Sequence, residues 1–134
     1  MRKALYFFSI LLTLVVFTNC SNDDDSSNNN NETYQKLIGK WYHDTPDPEY
    51  NSALTFKNNG QVIYTYWTGN GNTYDNETGS FSVEGDVMTM VFPETVTLTF
   101  VQKVVFVNDD KADFQPTGNP NEEAYEGFWF RAED

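Results

Sequence analysis

Cysteine, histidine and basic residues are scarce in this chain of 134 residues. It contains one cysteine, one histidine, and 8 lysines and arginines against 20 aspartates and glutamates, which gives a net charge of −12. A single cysteine excludes an intramolecular disulfide, and a single histidine excludes a zinc site built from several histidines. The excess of acidic residues repels nucleic acid phosphates, so we expect no nucleic-acid partner.

Apolar runs are also short, and the most apolar stretch covers residues 4–17. Arg2 and Lys3 precede this stretch and Cys20 follows it. A basic start, a short apolar core and small polar residues before a cleavage point form a secretory signal. A membrane-spanning helix needs roughly 20 apolar residues, which this stretch does not reach. We therefore expect residues 1–19 to be a cleaved signal peptide and not a retained membrane anchor.

Cys20 stands at the expected cleavage point. The residues Phe-Thr-Asn-Cys at positions 17–20 resemble the lipobox of bacterial lipoproteins in a loose form. The resemblance implies that Cys20 becomes a lipidated amino terminus that carries acyl chains such as palmitate. Since each buried methylene contributes about 0.8 kcal/mol, two or three acyl chains hold a protein firmly on a membrane.

Residues 20–32 contain Asp, Asn and Ser with almost no apolar side chains, so they predict a flexible acidic tether. The run Ser-Asn-Asp-Asp-Asp at positions 21–25 also resembles the export tag of lipoproteins on the outer face of the Gram-negative outer membrane. The resemblance implies an outer-membrane protein displayed at the cell surface. A plain solvated linker on the periplasmic face is the alternative.

Residues 33–134 carry the patterns of one all-β domain. Aromatic and β-branched residues alternate with polar ones, and Asn59-Gly60 and Gly85-Asp86 separate two pairs of such runs as hairpin turns. A helical period extends at most over residues 32–37. Strands are predicted at residues 37–44, 52–57, 61–67, 79–84, 87–92, 95–100, 104–107, 112–114 and 125–131. About eight short strands joined mostly by hairpins favour a small antiparallel up-and-down β-barrel, because closure removes exposed sheet edges.

The order of several short motifs resembles the lipocalin-like domains of bacterial surface lipoproteins. These motifs are Gly-x-Trp at residues 39–41, Leu-x-Phe at 54–56, Asn-Gly at 59–60 and Gly-x-Phe-x-Val-x-Gly at 79–85. The resemblance implies that Trp41 closes one end of the barrel beneath Arg131, with Gly39 allowing the first strand to bend. It also implies that a small apolar or amphipathic molecule binds at the open end.

Four aromatic residues, Tyr64, Tyr66, Trp67 and Tyr74, are the candidate ligand contacts. In a strand, Tyr64 and Tyr66 share one face and Trp67 lies on the other. Tyrosine and tryptophan suit positions where one end of the side chain is apolar and the other wet, as in a ligand mouth or a sugar-binding platform. Ordinary core packing plus an exposed hairpin tip is the alternative interpretation.

Catalytic and metal-binding patterns are weak. His43 is better explained as the end of the first strand than as a base, and Asp109 and Asp110 are adjacent turn residues that do not face each other. The acidic turn at residues 108–113 lacks the central Gly and terminal Glu of a calcium-binding hand. We expect no enzymatic activity, no metal and no cofactor.

Three functions remain open from the sequence. The first is a lipid-anchored carrier of a small hydrophobic ligand, the second an accessory or protein-interaction subunit with a filled barrel, and the third a glycan-binding surface protein. An apolar interior cavity of several hundred Å³ supports the carrier, whereas an interior packed to normal density together with an exposed aromatic patch supports the protein-interaction role.

Overall fold

The computed structural model describes residues 31–47, 51–93, 98–119, 121 and 124–133. The predicted signal peptide, the predicted lipidation site Cys20 and most of the predicted tether lie outside these residues. No helix in the described part is both long enough and apolar enough to cross a membrane.

The described residues form one short helix and eight strands that close into a barrel. Each strand pairs antiparallel with the next, and the last pairs with the first. This confirms the predicted all-β, up-and-down barrel. The elements are α1 (Glu32–Leu37), β1 (Gly39–His43), β2 (Ala53–Phe56), β3 (Gln61–Trp67), β4 (Tyr74–Glu84), β5 (Val87–Phe92), β6 (Leu98–Asn108), β7 (Lys111–Pro116) and β8 (Gly127–Arg131).

Two strands are longer than the sequence predicted. β4 begins at Tyr74 instead of residue 79, because its polar first half is held by backbone pairing with β3. β6 continues through residues 101–103, where a break was predicted, and the pairing of Gln102 with Met88 and Pro116 keeps the strand intact. Gln102 faces inward and is fully buried, so a polar residue at an inner position was misread as the end of a strand.

Large side chains of the described residues fill the interior of the barrel. Inward positions alternate with outward ones along every strand, and Trp41 and Trp129 are both fully buried. Trp129 stacks on Phe114 with ring centroids 5.4 Å apart. The other large, fully buried side chains include Tyr34, Leu37, Leu54, Phe56, Val62, Met88, Met90 and Phe92. The core is therefore continuous from one end of the barrel towards the other.

The helix α1 covers one end of the barrel, which we call the α1 end. Asn31 caps the helix through its Oδ1, which accepts a hydrogen bond from the Tyr34 backbone N–H at 3.2 Å. Tyr34 and Leu37 are buried, and the Tyr34 ring stacks on Phe81 at 4.9 Å. The Asn31 side chain also donates to the Gly85 carbonyl at 3.0 Å, which ties the start of the helix to the β4–β5 turn.

Arg131 joins three parts of the chain at the α1 end. Its guanidinium donates to the carbonyls of Ile38 (2.9 Å), Lys36 (2.6 Å) and Asp109 (3.0 Å). The same group lies 4.4 Å from the centre of the Trp41 ring, within the range of a cation–π contact.

Gly39 makes the approach of Arg131 feasible. Its φ of +127° is strained for other residues, and a Cβ atom there would lie 2.9 Å from Arg131 Nη1. Trp41 in turn donates from Nε1 to the Leu37 carbonyl at 2.8 Å, which fixes the indole beneath the guanidinium. The first and last strands are therefore locked together by both backbone pairing and side-chain contacts.

Replacing Arg131 by lysine tests this lock. Lysine keeps the charge but cannot reach three carbonyls in different directions, so we expect Arg131→Lys to lower the free energy of unfolding by about 2–3 kcal/mol. Lys103→Met is the matched control, because its exposed ion pair with Asp86 (3.4 Å) contributes at most about 1 kcal/mol. Urea unfolding followed by tryptophan fluorescence measures the free energy of unfolding of both variants. Equal losses in the two variants would contradict a special role for Arg131.

Candidate ligand-binding end of the barrel

Charge is distributed unequally between the two ends of the barrel. The helix α1, the β2–β3, β4–β5 and β6–β7 turns and the end of β8 lie together at the α1 end. Every lysine and arginine of the described residues belongs to this end, and they are Lys36, Lys40, Lys57, Lys103, Lys111 and Arg131. Acidic residues such as Asp86 and Asp110 accompany them. The α1 end thus has charges of both signs.

The opposite end, which we call the distal end, carries acidic residues alone among those described. It is formed by the β1–β2, β3–β4, β5–β6 and β7–β8 connections. Its described acidic residues are Asp44, Asp47, Asp75, Glu77 and Glu126. The same connections contain in sequence Glu49, Glu94, Glu122 and Glu123, which lie outside the described residues. A cation is therefore attracted to this end more than to the other.

The β3–β4 hairpin projects beyond its neighbour at the distal end. β4 pairs with β3 along Tyr74–Ser80, but with β5 only from Ser80 to Glu84. The strand changes partner at Gly79, where a Cβ atom would collide with the Val91 carbonyl and lie 2.7 Å from the Phe92 ring. Glycine is required here because the Phe92 ring packs directly on the backbone. The outer half of the hairpin consequently extends past β5.

The inner face of this hairpin combines aromatic rings with carboxylates. Tyr64 and Tyr66 follow the buried Val62 on the inward face of β3, and their cross-strand partners are Glu77 and Asp75. The two tyrosine rings stack with centroids 5.4 Å apart and an interplanar angle of 29°. Tyr66 is 36% exposed, so one of its ring faces is accessible to a ligand.

Tyr125 seals the core directly below these rings. It is 4% exposed, and its ring meets Tyr64 edge-on at 5.2 Å and Phe100 at 4.7 Å. Burial raises the pKa of the Tyr125 hydroxyl strongly, and the nearby Tyr64 and Glu77 raise it further. The carbonyl of Tyr125 accepts a hydrogen bond from Trp129 Nε1 at 2.9 Å, which holds the residue over the core.

His43 anchors the connection that carries Tyr125. It ends β1, and its ring stacks on Trp129 at 4.6 Å. Its Nε2 lies 2.8 Å from the Glu126 carbonyl, the residue next to Tyr125. Through these contacts, His43 at the end of β1 positions the connection that contains Tyr125.

The predicted aromatic set divides between two faces of the barrel. Tyr64 and Tyr66 face inward, whereas Trp67 and Tyr74 face outward as cross-strand partners. The Trp67 indole donates from Nε1 to the Gly71 carbonyl at 2.6 Å, so it folds over its own hairpin turn. The structure therefore does not bring the four residues into one site.

Sequence reasoning missed Tyr125 and Glu77 as members of the distal site. Tyr125 lies in a polar connection just before β8, but the sequence predicts it inside the final strand, at residues 125–131. Glu77 lies in the half of β4 that was not predicted as a strand. Extending the alternation of Phe81 and Val83 backwards would have placed Glu77 on the inner face.

No metal centre is evident in the described part of the chain, where no three His, Cys, Asp or Glu residues are grouped closely enough to hold a metal ion. The acidic turn after β6 is explained by backbone contacts. The Asp110 N–H donates to Asn108 Oδ1 at 2.9 Å, and the Asp109 carbonyl accepts from Arg131. This turn therefore serves to fix Arg131.

Comparison with known proteins yields a distant structural similarity. No protein-family model matches the chain, and no curated protein matches it either. The crystal structure of an uncharacterized protein from Bacteroides eggerthii is similar at 16% sequence identity with a TM-score of 0.46. The match covers 71% of this chain and 96% of that one. Such a distant match does not assign a function.

The raised pKa of Tyr125 predicts a specific loss of stability in alkali. An unfolded tyrosine ionises near pH 10, whereas the folded protein holds the Tyr125 proton more tightly. The free energy of unfolding that the protonated Tyr125 hydroxyl contributes is complete below about pH 10 and is lost as the pH rises above that value. Between about pH 9 and pH 11, the wild-type protein should lose about 1.4 kcal/mol more unfolding free energy than Tyr125→Phe. Urea unfolding at both pH values measures the difference, and identical losses would refute it.

Proposed function

We propose that this protein is a lipid-anchored, lipocalin-like binding protein of the outer membrane, without enzymatic activity. Its ligand is a small amphipathic molecule that carries a positive charge and binds at the distal end. The observation that carries the proposal is the pairing of Tyr64 and Tyr66 with Glu77 and Asp75 on one face of the projecting hairpin.

The filled interior supports a ligand that rests at the rim of the barrel. Tyr125, Phe92 and Phe100 close the core at the distal end through mutual ring contacts of 4.7–6.1 Å. A ligand within the barrel would have to displace these rings, and native interiors are packed as densely as organic crystals. A ligand on Tyr66 needs no such rearrangement, because its ring is already exposed.

The charges at the distal end support a cationic ligand. A positively charged group near a tyrosine ring gains about 0.5–2 kcal/mol from the ring electrons. Glu77 is half-buried beside Tyr64, so its carboxylate is less screened than one in open solvent. An apolar chain attached to the cation would cover the ring face of Tyr66. An anionic molecule of the same shape would be repelled by Glu77 and Asp75.

The position of α1 supports an orientation in which the distal end points away from the membrane. The chain enters the barrel at Asn31, which is bonded to the β4–β5 turn at the α1 end. A tether from Cys20 to residue 30 would reach at most about 40 Å when fully extended. With lipid on Cys20, the tether joins the barrel at the α1 end, and the distal end is the one that carries no tether.

Octyl amphiphiles of different charge test the ligand class. We expect octyltrimethylammonium to bind, an uncharged octyl polyoxyethylene to bind more weakly, and octyl sulfate not to bind, all below their micelle concentrations. Glu77→Gln should weaken octyltrimethylammonium binding by about fivefold, which corresponds to about 1 kcal/mol. Tyr66→Ser should weaken the binding of both octyltrimethylammonium and the octyl polyoxyethylene. Calorimetric titration and NMR chemical-shift mapping measure affinity and location.

Matched controls separate this site from nonspecific binding. Glu84→Gln removes the same charge from the other end of the same strand, and Phe128→Ser removes an exposed ring that faces outward on β8. Neither should change the affinity. Binding of octyl sulfate as strongly as octyltrimethylammonium would reject the cationic ligand class, and binding of none of the probes would reject the rim as a binding site.

Substitution of Cys20 tests the lipid anchor. We expect the wild-type protein to fractionate with membranes and to carry a mass above that of its residues, because acyl chains are attached at the cysteine. Cys20→Ala should lack the added mass and should leave the membrane fraction. Ser21→Ala is the control that leaves the thiol in place. Unchanged mass and fractionation in Cys20→Ala would contradict the anchor.

A further inference from the structure

The outer surface of the barrel carries two adjoining grooves that the distal site does not use. The first has a volume of about 720 Å³, lies along the seam between β1 and β8 and is lined in part by Tyr42 and Phe130. The second has a volume of about 290 Å³ and is lined in part by Tyr42, Ala53 and Tyr74. Tyr42 belongs to both grooves. We call the pair the outer trough.

Strand pairing fixes the positions that form this trough. Tyr42 pairs with Phe130 on one side and with Ala53 on the other, and Ala53 pairs with Thr65. These residues therefore form a row across neighbouring strands on the outside of the barrel. Thr65 pairs with Asn76 on β4, and Tyr74 lies two residues before Asn76 on the same outward face. At about 4.8 Å between strands, a row from β8 to β4 spans roughly 19 Å. This length suits a ligand made of several linked rings better than a ligand with a single ring.

Small side chains occupy the centre of the row, and larger side chains flank them. Ala53 shares the outward face with Tyr42, yet it is only 1% exposed because larger side chains flank it. Tyr42 and Tyr74 rise on either side of Ala53 and Thr65 in the second groove. Because Tyr42, Ala53, Thr65 and Tyr74 lie within paired strands, this part of the trough is formed before a ligand arrives. Binding then costs little ordering entropy.

The lining alternates aromatic rings with hydrogen-bonding groups. Asp47 and Asp110 line the first groove, and Asn51 and Thr65 line the second. A ligand that matches this surface has apolar faces that cover rings and polar edges that meet carboxylates, amides and hydroxyls. A pyranose ring has this construction, with C–H groups on its faces and hydroxyls at its edge.

The charges of the trough favour an uncharged chain over an anionic one. Arg131 lines the first groove, but its guanidinium already donates to three backbone carbonyls and covers Trp41. Lys40 lies over the Tyr42 ring at 5.0 Å. Lys111 lies 5.1 Å from the centre of the Phe130 ring, so three cations accompany the three carboxylates of Asp47, Asp110 and Glu133. The whole chain carries a net charge of −12. The trough is thus balanced in charge, which suits an uncharged chain, and the net charge of the protein repels a polyanion.

We propose that the outer trough binds a linear, uncharged oligosaccharide, with Tyr42 and Tyr74 as its principal contacts. This site is separate from the distal site, because Tyr42 and Tyr74 lie on the outward face while Tyr64 and Tyr66 lie on the inward one. The protein would then hold a glycan along its side while its distal end stays open to a small ligand.

Hexasaccharides provide the test. Maltohexaose, cellohexaose, xylohexaose and mannohexaose are titrated into the folded protein, with glucose and hexagalacturonate for comparison. We expect at least one uncharged hexasaccharide to bind, and glucose and hexagalacturonate not to bind. Tyr42→Ser and Tyr74→Ser should each weaken the interaction by about tenfold, which corresponds to about 1.4 kcal/mol.

Control variants distinguish the trough from other exposed rings. Phe128→Ser removes a ring that is 43% exposed and lies outside both grooves, and Tyr66→Ser removes a distal ring. Both should bind the hexasaccharide as the wild-type protein does. Tyr74 is 38% exposed, so Tyr74→Ser should stay folded, and its melting temperature, measured alongside, separates an effect on binding from one on stability.

Three results would overturn the proposal. The first is that no uncharged hexasaccharide binds, which would leave the trough to a protein partner or to no partner. The second is that hexagalacturonate binds as well as the uncharged chains. The third is that Phe128→Ser weakens binding as much as a folded Tyr74→Ser protein does. None of these results bears on octyltrimethylammonium binding at the distal end, so the two proposals fail independently.

Discussion

Closure of the barrel between β1 and β8 is the constraint on which the rest of the structure depends. The two strands share only a short register, from Trp41 opposite Arg131 to His43 opposite Trp129. Backbone pairing over so few residues is weak by itself, and each end of the seam has its own side-chain reinforcement. Arg131 over Trp41 secures the α1 end, and His43 stacked on Trp129 secures the distal end. Because the chain can form no disulfide, these contacts take the place of a covalent link.

The strands of this barrel follow from the sequence wherever an inner position is apolar. The runs around Asn59-Gly60 and Gly85-Asp86 predict their hairpins because alternation and turn chemistry agree. Prediction fails where inner positions are polar, as with Gln102 in β6 and Glu77 in β4. A polar side chain at an inner position breaks the alternation by which a strand is recognised, although the backbone pairing is unaffected. Of these two positions, Glu77 belongs to the candidate site, whereas Gln102 is buried within the barrel.

The aromatic content of the chain likewise could not be divided into core and surface from sequence alone. Tyr64 and Tyr66 were expected to share a face, and their ring stacking follows from that. The separation of Tyr74 from them depends on the register of β3 with β4, in which Trp67 lies opposite Tyr74. A shift of one residue would have moved Tyr74 to the inner face. The pairing register, which the hairpin turn sets, therefore decides which rings belong to the distal site and which to the outer trough.

A filled barrel has consequences for the kind of recognition that this fold can provide. The rings of Tyr125, Phe92 and Phe100 fill the space that an enclosed ligand would need, and they stabilise the domain by burying apolar surface. Selectivity must then come from the rim and the outside, where rings are held rigidly by the packed core but one face remains in solvent. The unequal distribution of charge adds to this selectivity. With every cation of the described residues at the α1 end, the distal rim attracts cations, and the net charge of −12 disfavours anions at the outer trough. Rigidity from the core and selectivity from surface charge thus arise in different parts of the same small domain.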